Sequence, residues 1–589
     1  MSFKKSIFVA ALSAIFISTS ANAVIGPIKI TLNNEYRTGS PVIGSIATSI
    51  KLDKSDIKKT GATTFVDLLE KIPSITFEGG PGNVAAVRIR GSESKHTLLL
   101  IDGQKVTIRN TQPNFNMIPV SQINRVEILK GPFSSLYGPG AIGGVINVFT
   151  DKGVNSITSS TIDSSYGSNG TKQSSLNTYY KNDNSYLDFT FTDYITDGID
   201  ATGDGDLDPS DRQSVGLNIG GDIAENTSIS LNLIDSKSNV MFDHGYSHTD
   251  YEDDVRQIGL GVNQKFSDRL TTRIDIIDQK SLHHGEKYES NTMSIINELG
   301  FDNSMLSIGL MNSVDKNLNN KSTPSVIKEI KHTDLFGQWQ GLIIDNEFSV
   351  GLRVIDHDKF SSHSTYNFNW AKDLTSNLRV NASYGSATNL PDHYANNANI
   401  NAEKTALTPE RSKNLEIGLN SSNTFGDIEL KIYKSKISDY FSYNGDNYPL
   451  DYYYNDGVVD IDGIELSLYN KLLSWEIDTT IDFNKTVDRA SKKQKGRRPN
   501  RSISINLSKT SGKWNRNINW IAKSHTWDGN SETTKLGGYG LLNLSTSYDF
   551  NEDLTIYLNR NNALDKDYEM ARGYNTYGKT TTLGLTYNF

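Results

Sequence analysis

The sequence predicts an all-β transmembrane barrel of about 22 antiparallel strands with a small α/β domain plugging its lumen. Three observations predict it. Hydrophobic residues make up only 36% of the 589, yet 28 Tyr and 22 Phe are present. No run beyond the N-terminus approaches the ~18 apolar residues of a membrane helix. From about Asp151 onward, hydrophobicity alternates with period two. Leu187, Phe189 and Phe191 alternate with Asp188, Thr190 and Thr192, and Ile229, Leu231 and Leu233 with Ser228, Ser230 and Asn232. Ile503, Ile505 and Leu507, then Leu554, Ile556 and Leu558, repeat the pattern. Each is a strand with one apolar face.

A soluble sandwich or propeller would bury that face, but internal repeats on the order of 40–50 residues are missing. A barrel turns the face to lipid and leaves a polar lumen, with aromatics girdling both interfaces. Residues 151–589 allow about 22 strands at about 20 residues per strand and connection, with strands of ~9–11 residues and no interrupting helix. A lumen that wide needs filling, and residues 36–150 are available to fill it. There, short buried-looking runs (Leu98 to Ile101, Val145 to Val148) accompany one helix. Thr64 caps it, Phe65, Leu68, Leu69 and Ile72 share a face, and Pro73 stops it.

Residues 1–23 read as a secretory signal: Lys4 and Lys5, an apolar run from Ile7 to Ile17, and Ala21-Asn22-Ala23 before the cut. The 68 acidic and 59 basic residues give a net charge of −9, the wrong sign for a nucleic-acid binder. Zero Cys excludes disulfides and thiolate chemistry. No Gly-x-Ser-x-Gly elbow or His-Glu-x-x-His motif points to an enzyme. Gly138-Pro139-Gly140-Ala141-Ile142-Gly143 spells a dinucleotide fingerprint, but Pro139 intrudes and a Val/Ile strand follows where a helix is required.

Several segments carry a family resemblance: Asp67 to Ile75, Val87 to Gly91, Leu100 to Gly103, Arg125 to Pro132 continuing to Val148, Leu407 to Ser412, Gly463 to Glu465, Arg497-Arg498-Pro499, and Asn561 to Tyr568. In that order the chain resembles a TonB-dependent outer-membrane receptor nearly end to end. Within the family it looks most like the cobalamin receptors, through Val87 to Val106, an acidic double loop and the segment Asp565 to Tyr574. The resemblance implies an outer-membrane importer of a bulky, scarce nutrient, a corrinoid first and a ferric siderophore or haem as alternatives. A passive porin is the reading from another class, and the Arg125 to Val148 plug segment argues against it.

The resemblance also assigns residues. A TonB box would be Ile28, Lys29, Ile30, Thr31 and Leu32 within segment 24–35, offering unpaired backbone to the edge of TonB; an ordinary first plug strand is the alternative. Substrate loops on the plug map to Asn83, Val84, Ala85 and Ala86, and to Thr111, Gln112 and Asn114, the second loop looking shorter than the family pattern. The plug cations Arg90 and Lys130 map near the barrel acids Glu410 and Glu465, with Lys130 where the family usually has Arg and so lacking the bidentate fork. Thr582, Gly584, Tyr587 and Phe589 fit the terminal signal read by the outer-membrane assembly machinery. Asp197, Asp204, Asp206, Asp208 and Asp211, with Asp235 and Asp243 from the next loop, read as a Ca²⁺ site that neutralises clustered carboxylates; a solvated acidic loop is the alternative. It is not an EF-hand, since Pro209 and Val215 occupy required positions. Phage and bacteriocins stay open as further users of the loops.

Overall fold

The computed structural model describes residues 49–78, 86–107, 115–150, 158–244, 247–283, 285–318, 329–393, 395–396, 399, 406–444 and 452–589. Its outer layer is a closed barrel of 22 strands running from Thr158–Gly167 to Thr580–Asn588. Closure comes when the last strand pairs antiparallel with the first, Thr582 opposite Gly167 and Tyr587 opposite Ile162. A closed ladder leaves no unpaired edge, the condition a sheet must meet in hydrocarbon.

Burial is inverted relative to a soluble protein. Asp188, Thr190 and Thr192 are buried towards the lumen, whereas Phe191, Ile229 and Leu231 are exposed on the outside. The expected alternation therefore holds, with the apolar face outward. The strands are longer than expected, reaching 21 residues in Ser247–Ser267, because they continue beyond the apolar band into the loops. The loops also carry secondary structure of their own. Phe441–Asn444 pairs with Tyr452–Asn455 outside the barrel ladder. The helical residues His393, Ala395, Asn396 and Asn399 correct the expectation that no helix interrupts the barrel region.

The two ends differ. Tight turns such as Glu225-Asn226, Asp302-Asn303 and Leu473-Ser474 close one, and long connections 390–409, 439–457, 489–500 and 562–579 stand at the other. Short turns face the periplasm and long loops the exterior in such barrels.

Inside sits the plug, whose five-stranded sheet has the order Ser49–Asp53, Ile123–Lys130, Gly144–Thr150, Thr97–Ile101, Gln104–Lys105. Thr97–Ile101 runs parallel to Gly144–Thr150. The predicted helix forms over Phe65–Glu70, with the Thr64 hydroxyl accepting from the Asp67 amide. Phe65, Leu68, Leu69 and Ile72 bury against Ile89, Val126, Ile128 and Ile146. The fingerprint-like glycines serve packing here. Gly143, the last of them, leaves no room for a Cβ against the Ser92 side chain, and Gly144, just beyond the fingerprint at φ 156, leaves none against the Leu129 carbonyl where it opens a central strand of the sheet.

Candidate functional site

Two layers of polar contacts join plug to barrel. The deeper one is centred on Glu465, eight residues into the strand Val458–Leu472. Arg90 grips it with two nitrogens, Nε to Oε1 at 3.1 Å and Nη2 to Oε2 at 2.9 Å. Lys130 Nζ reaches the same Oε2 at 3.1 Å. Arg90 spends its remaining nitrogen on Glu416, at 2.5 Å, and lies over the Tyr433 ring at 4.0 Å. All four charged groups are buried, with side-chain exposures of 4–6%. Burial lowers the pKa of the guanidinium, but Glu465 and Glu416 outweigh it and hold the pKa well above its ordinary value. Arg90 adopts a left-handed backbone, φ 52, followed by Gly91 at φ 72. A Cβ on Gly91 would collide with the Thr486 hydroxyl. That turn costs about 1–2 kcal/mol for a non-glycine residue and aims the side chain at the barrel wall.

The upper layer lies under the long loops. His96 is fully buried; its Nδ1 accepts from the Glu93 amide at 3.2 Å, so Nε2 carries the proton and donates to Glu410 at 2.8 Å. Glu410 also meets Lys95 Nζ at 3.0 Å and accepts from Asn389 Nδ2 and the Phe441 amide, both at 2.8 Å. Glu410 therefore does not join Arg90 and Lys130 as expected; it ties the plug apex to the end of a neighbouring barrel strand and to one loop, and Glu416 takes the expected place. Arg498, from the quoted Arg-Arg-Pro segment, donates to Glu93 at 2.5 Å and to the Gly91 carbonyl at 2.7 Å. Tyr440 donates its hydroxyl to the same Glu93. Burial would raise the Glu93 carboxyl, but Arg498, Arg88 and Lys95 hold it well below the usual carboxylate range.

Above this layer opens a vestibule of about 770 Å³ lined by Lys95, Tyr440, Phe441, Tyr453 and Lys495 among others. Lys95 lies 4.5 Å over the Phe441 ring and Lys495 4.4 Å over that of Tyr440, and the Tyr443 and Tyr453 rings are 5.0 Å apart. Such a wall of ring faces and polar tips suits a large ligand with both apolar and hydrogen-bonding surface.

Residues 153–563 match the TonB dependent receptor-like beta-barrel and residues 43–145 the TonB-dependent receptor plug domain. The chain belongs to the TonB-dependent receptor family. It is thus an outer-membrane transporter with TonB and a small-molecule ligand as partners. The vitamin B12 transporter BtuB of Photobacterium profundum is 24% identical over 586 residues, 94% of each chain. Among solved structures, the ferric enterobactin receptor PfeA of Pseudomonas aeruginosa superposes with TM-score 0.80 at 14% identity, covering 92% of this chain and 98% of that one. The siderophore receptor PirA of Acinetobacter baumannii gives 0.78 at 16% identity over 92% and 98%. These structures share the receptor fold.

The remaining expectations fall as follows. The box Ile28 to Leu32, the signal segment, Asn83, Val84, Ala85, Thr111, Gln112 and Asn114 lie outside the described residues; Ala86 opens the strand Ala86–Ile89. Thr582 and Gly584 sit on the closing strand, with Leu583, Leu585, Tyr587 and Phe589 exposed on its outer face. The acidic loop does not gather its carboxylates. Asp208 accepts from the Ala201 amide at 2.9 Å, Asp204 from the Asp206 amide at 3.1 Å and Asp211 from Asn239 at 3.1 Å. Asp235 is paired with Arg256, and the Asp243 side chain lies outside the described set. Asp200, not among the expected ligands, caps the loop by accepting from the amides of Gly203, Asp204 and Gly205. Among the described residues no three such groups converge on one point.

Among the site residues that escaped sequence reasoning are Glu416, Glu93, His96 and Arg498. The last three stand in or beside segments that carried the family resemblance, so a signal was present without a role attached. Glu416 had none, because the inward positions of its strand are polar throughout apart from Gly418.

Proposed function

We propose that this receptor imports a corrinoid, taken up at the vestibule over Lys95, Tyr440 and Phe441. The observation that carries the reading is the mixed character of that lining. Lys95, Lys493 and Lys495 are balanced by Glu93, Asp392, Asp456 and Asp488, so among the described residues the lining carries no excess positive charge. A ferric tris-catecholate is strongly anionic and calls for one. A corrin ring edged with amides calls for aromatic faces and neutral hydrogen-bonding partners. The likeness to a vitamin B12 transporter along 94% of both chains supports the same reading. A ferric siderophore is the second reading, favoured by the clustering of four tyrosines, Tyr440, Tyr443, Tyr453 and Tyr454, at the cavity.

Ligand binding would reach the plug through a continuous set of contacts. Tyr440 and Lys95 face the cavity and touch Glu93 and Glu410; Glu93 holds Arg498, and Arg498 holds the Gly91 carbonyl beside Arg90. A ligand that draws Tyr440 or Lys95 to itself loosens both layers, and TonB then pulls on a plug already partly released. Cyanocobalamin is expected to bind the purified receptor in equilibrium dialysis while ferric enterobactin at the same concentration does not; the reverse preference overturns the corrinoid assignment.

Calcium rests on the sequence pattern alone, since the carboxylates would first have to leave their amides and Arg256. EDTA and Asp206→Ala are each expected to weaken ligand affinity. Unchanged affinity in both removes calcium from the account.

A further inference from the structure

At the height of Glu465 a row of inward side chains runs along the barrel wall, and one member of the row holds nothing. The ladder sets Glu465 opposite Asp482, Asp482 opposite Ser502 and Ser502 opposite Lys523, on successive strands from Val458–Leu472 to Trp514–Lys523. The others hold the plug. Glu465 takes Arg90 and Lys130, the Ser502 hydroxyl donates to the Pro73 carbonyl at 2.7 Å, and Lys523 Nζ donates to the Ile75 carbonyl at 3.1 Å. Asp482 is only 4% exposed, and its Oδ1 is sealed from solvent without a hydrogen bond to any described residue.

Nothing in the seated fold calls for a carboxylate at that position. Like charges directly opposite each other destabilise a sheet, and a buried charge without a direct partner is worse still. A neutral side chain avoids both costs. Asn484 and Thr486, next along the same inward row, show this by donating to the Tyr433 hydroxyl at 3.0 Å and to the Gly91 carbonyl at 3.1 Å.

The group that Asp482 complements is Lys130, which lies close enough for the two charges to interact. An ammonium has three N–H donors, and Lys130 gives one to Glu465. On its flexible stem it turns between acceptors without a set geometry, whereas Arg90 is fixed on Glu465 by two bonds at once. Side chains directly opposite on paired strands stand about 5 Å apart. A plug displacement of that order is enough to take Nζ from one carboxylate to the other.

We propose that Asp482 is a second seat for Lys130, a positioning residue that receives the ammonium from Glu465 as TonB draws on the plug. The exchange keeps a buried cation paired through the first step of opening, so that step avoids stripping the ion pair outright. It depends on TonB-driven movement of the plug and not on which ligand is carried.

Constant-force pulling on the N-terminal segment of the full-length receptor in a lipid bilayer, without ligand, reads the step directly. Asp482→Asn, neutral and of the same shape, is expected to slow plug release at a given force by about fivefold or more. Asp482→Ser repeats the loss of charge in a smaller side chain, which guards against one neutral variant failing to fold. Asp482→Glu keeps the charge and is expected to release at the unmodified receptor's rate. In Lys130→Met, where no ammonium is left to transfer, Asp482→Asn is expected to slow release no further. Unchanged or faster release in the neutral variants, equal slowing in Asp482→Glu, or the same slowing with Lys130→Met as without it would overturn the proposal.

Discussion

Glu465→Ala is expected to cost the seated plug about 3–5 kcal/mol, the penalty of removing one partner from a buried charge pair. Two cations depend on that carboxylate. Arg90 gives it two hydrogen bonds and Lys130 a third. Without it Lys130 loses its direct ion pair and is left with the charge of nearby Asp482, while Arg90 keeps its direct contact with Glu416. Lys130→Met is expected to cost less, about 1–3 kcal/mol, because it deletes a single charged hydrogen bond and leaves the bidentate pair intact. Urea titration with a fluorophore on the plug measures both, and ion conductance across a planar bilayer reports the leak when the plug loosens. The ordering of the two variants is the informative outcome: equal losses would mean that Glu465 is not the shared carboxylate holding the plug. A neutral Glu465→Gln is expected to fall between them, since it keeps the volume and one acceptor oxygen while giving up the charge.

The barrel was legible from the sequence because its signal is physical and repeated. Alternation of lipid-facing and lumen-facing residues is imposed on each strand by the bilayer, and a polar, tyrosine-rich chain with no membrane helix leaves few other ways to span. The helix over Phe65–Glu70 was equally legible, its cap, its apolar face and its terminating Pro73 all being local. Glu410 shows where local reasoning stops. It and Glu416 share a strand and a face, six residues apart, so about 20 Å separates them along the barrel wall. Composition cannot say which of two inward glutamates lies at the height of Arg90; only the vertical position of the plug decides, and that depends on packing along the whole lumen. His96 and Arg498 were similarly within quoted segments, but their roles are relations between residues about 300 to 400 positions apart. The acidic loop is ambiguous for a different reason. Alternating carboxylates are also what a Gly-rich turn needs to cap its own amides, and Asp200 does that for three of them.

Ile30→Pro is expected to abolish uptake while leaving ligand binding intact. Energy for import must come from outside the outer membrane, and TonB, the partner the family membership supplies, engages by strand addition if the segment Ile28 to Leu32 is the box. Strand addition uses backbone amides, so Pro, which has none, breaks it whereas a side-chain truncation such as Ile30→Ala does not. Only alternate residues of an added strand direct their amides at the partner. Thr31→Pro is therefore the necessary companion, and one of the two must remove a bond whatever the register. Strand addition to TonB supplies energy to the transport step and not to ligand capture, so equilibrium binding at the vestibule over Lys95 and Tyr440 should be unchanged within about twofold, less than 0.5 kcal/mol. Uptake of radiolabelled ligand by whole cells, with binding measured on the same cells without an energy source, separates the two effects. Normal uptake by both Pro variants would place the coupling segment elsewhere in the chain. Loss of binding together with uptake would instead mean that the substitution disturbs the plug, and the charge hub at Glu465, rather than the handshake with TonB, would then be what the N-terminal segment supports.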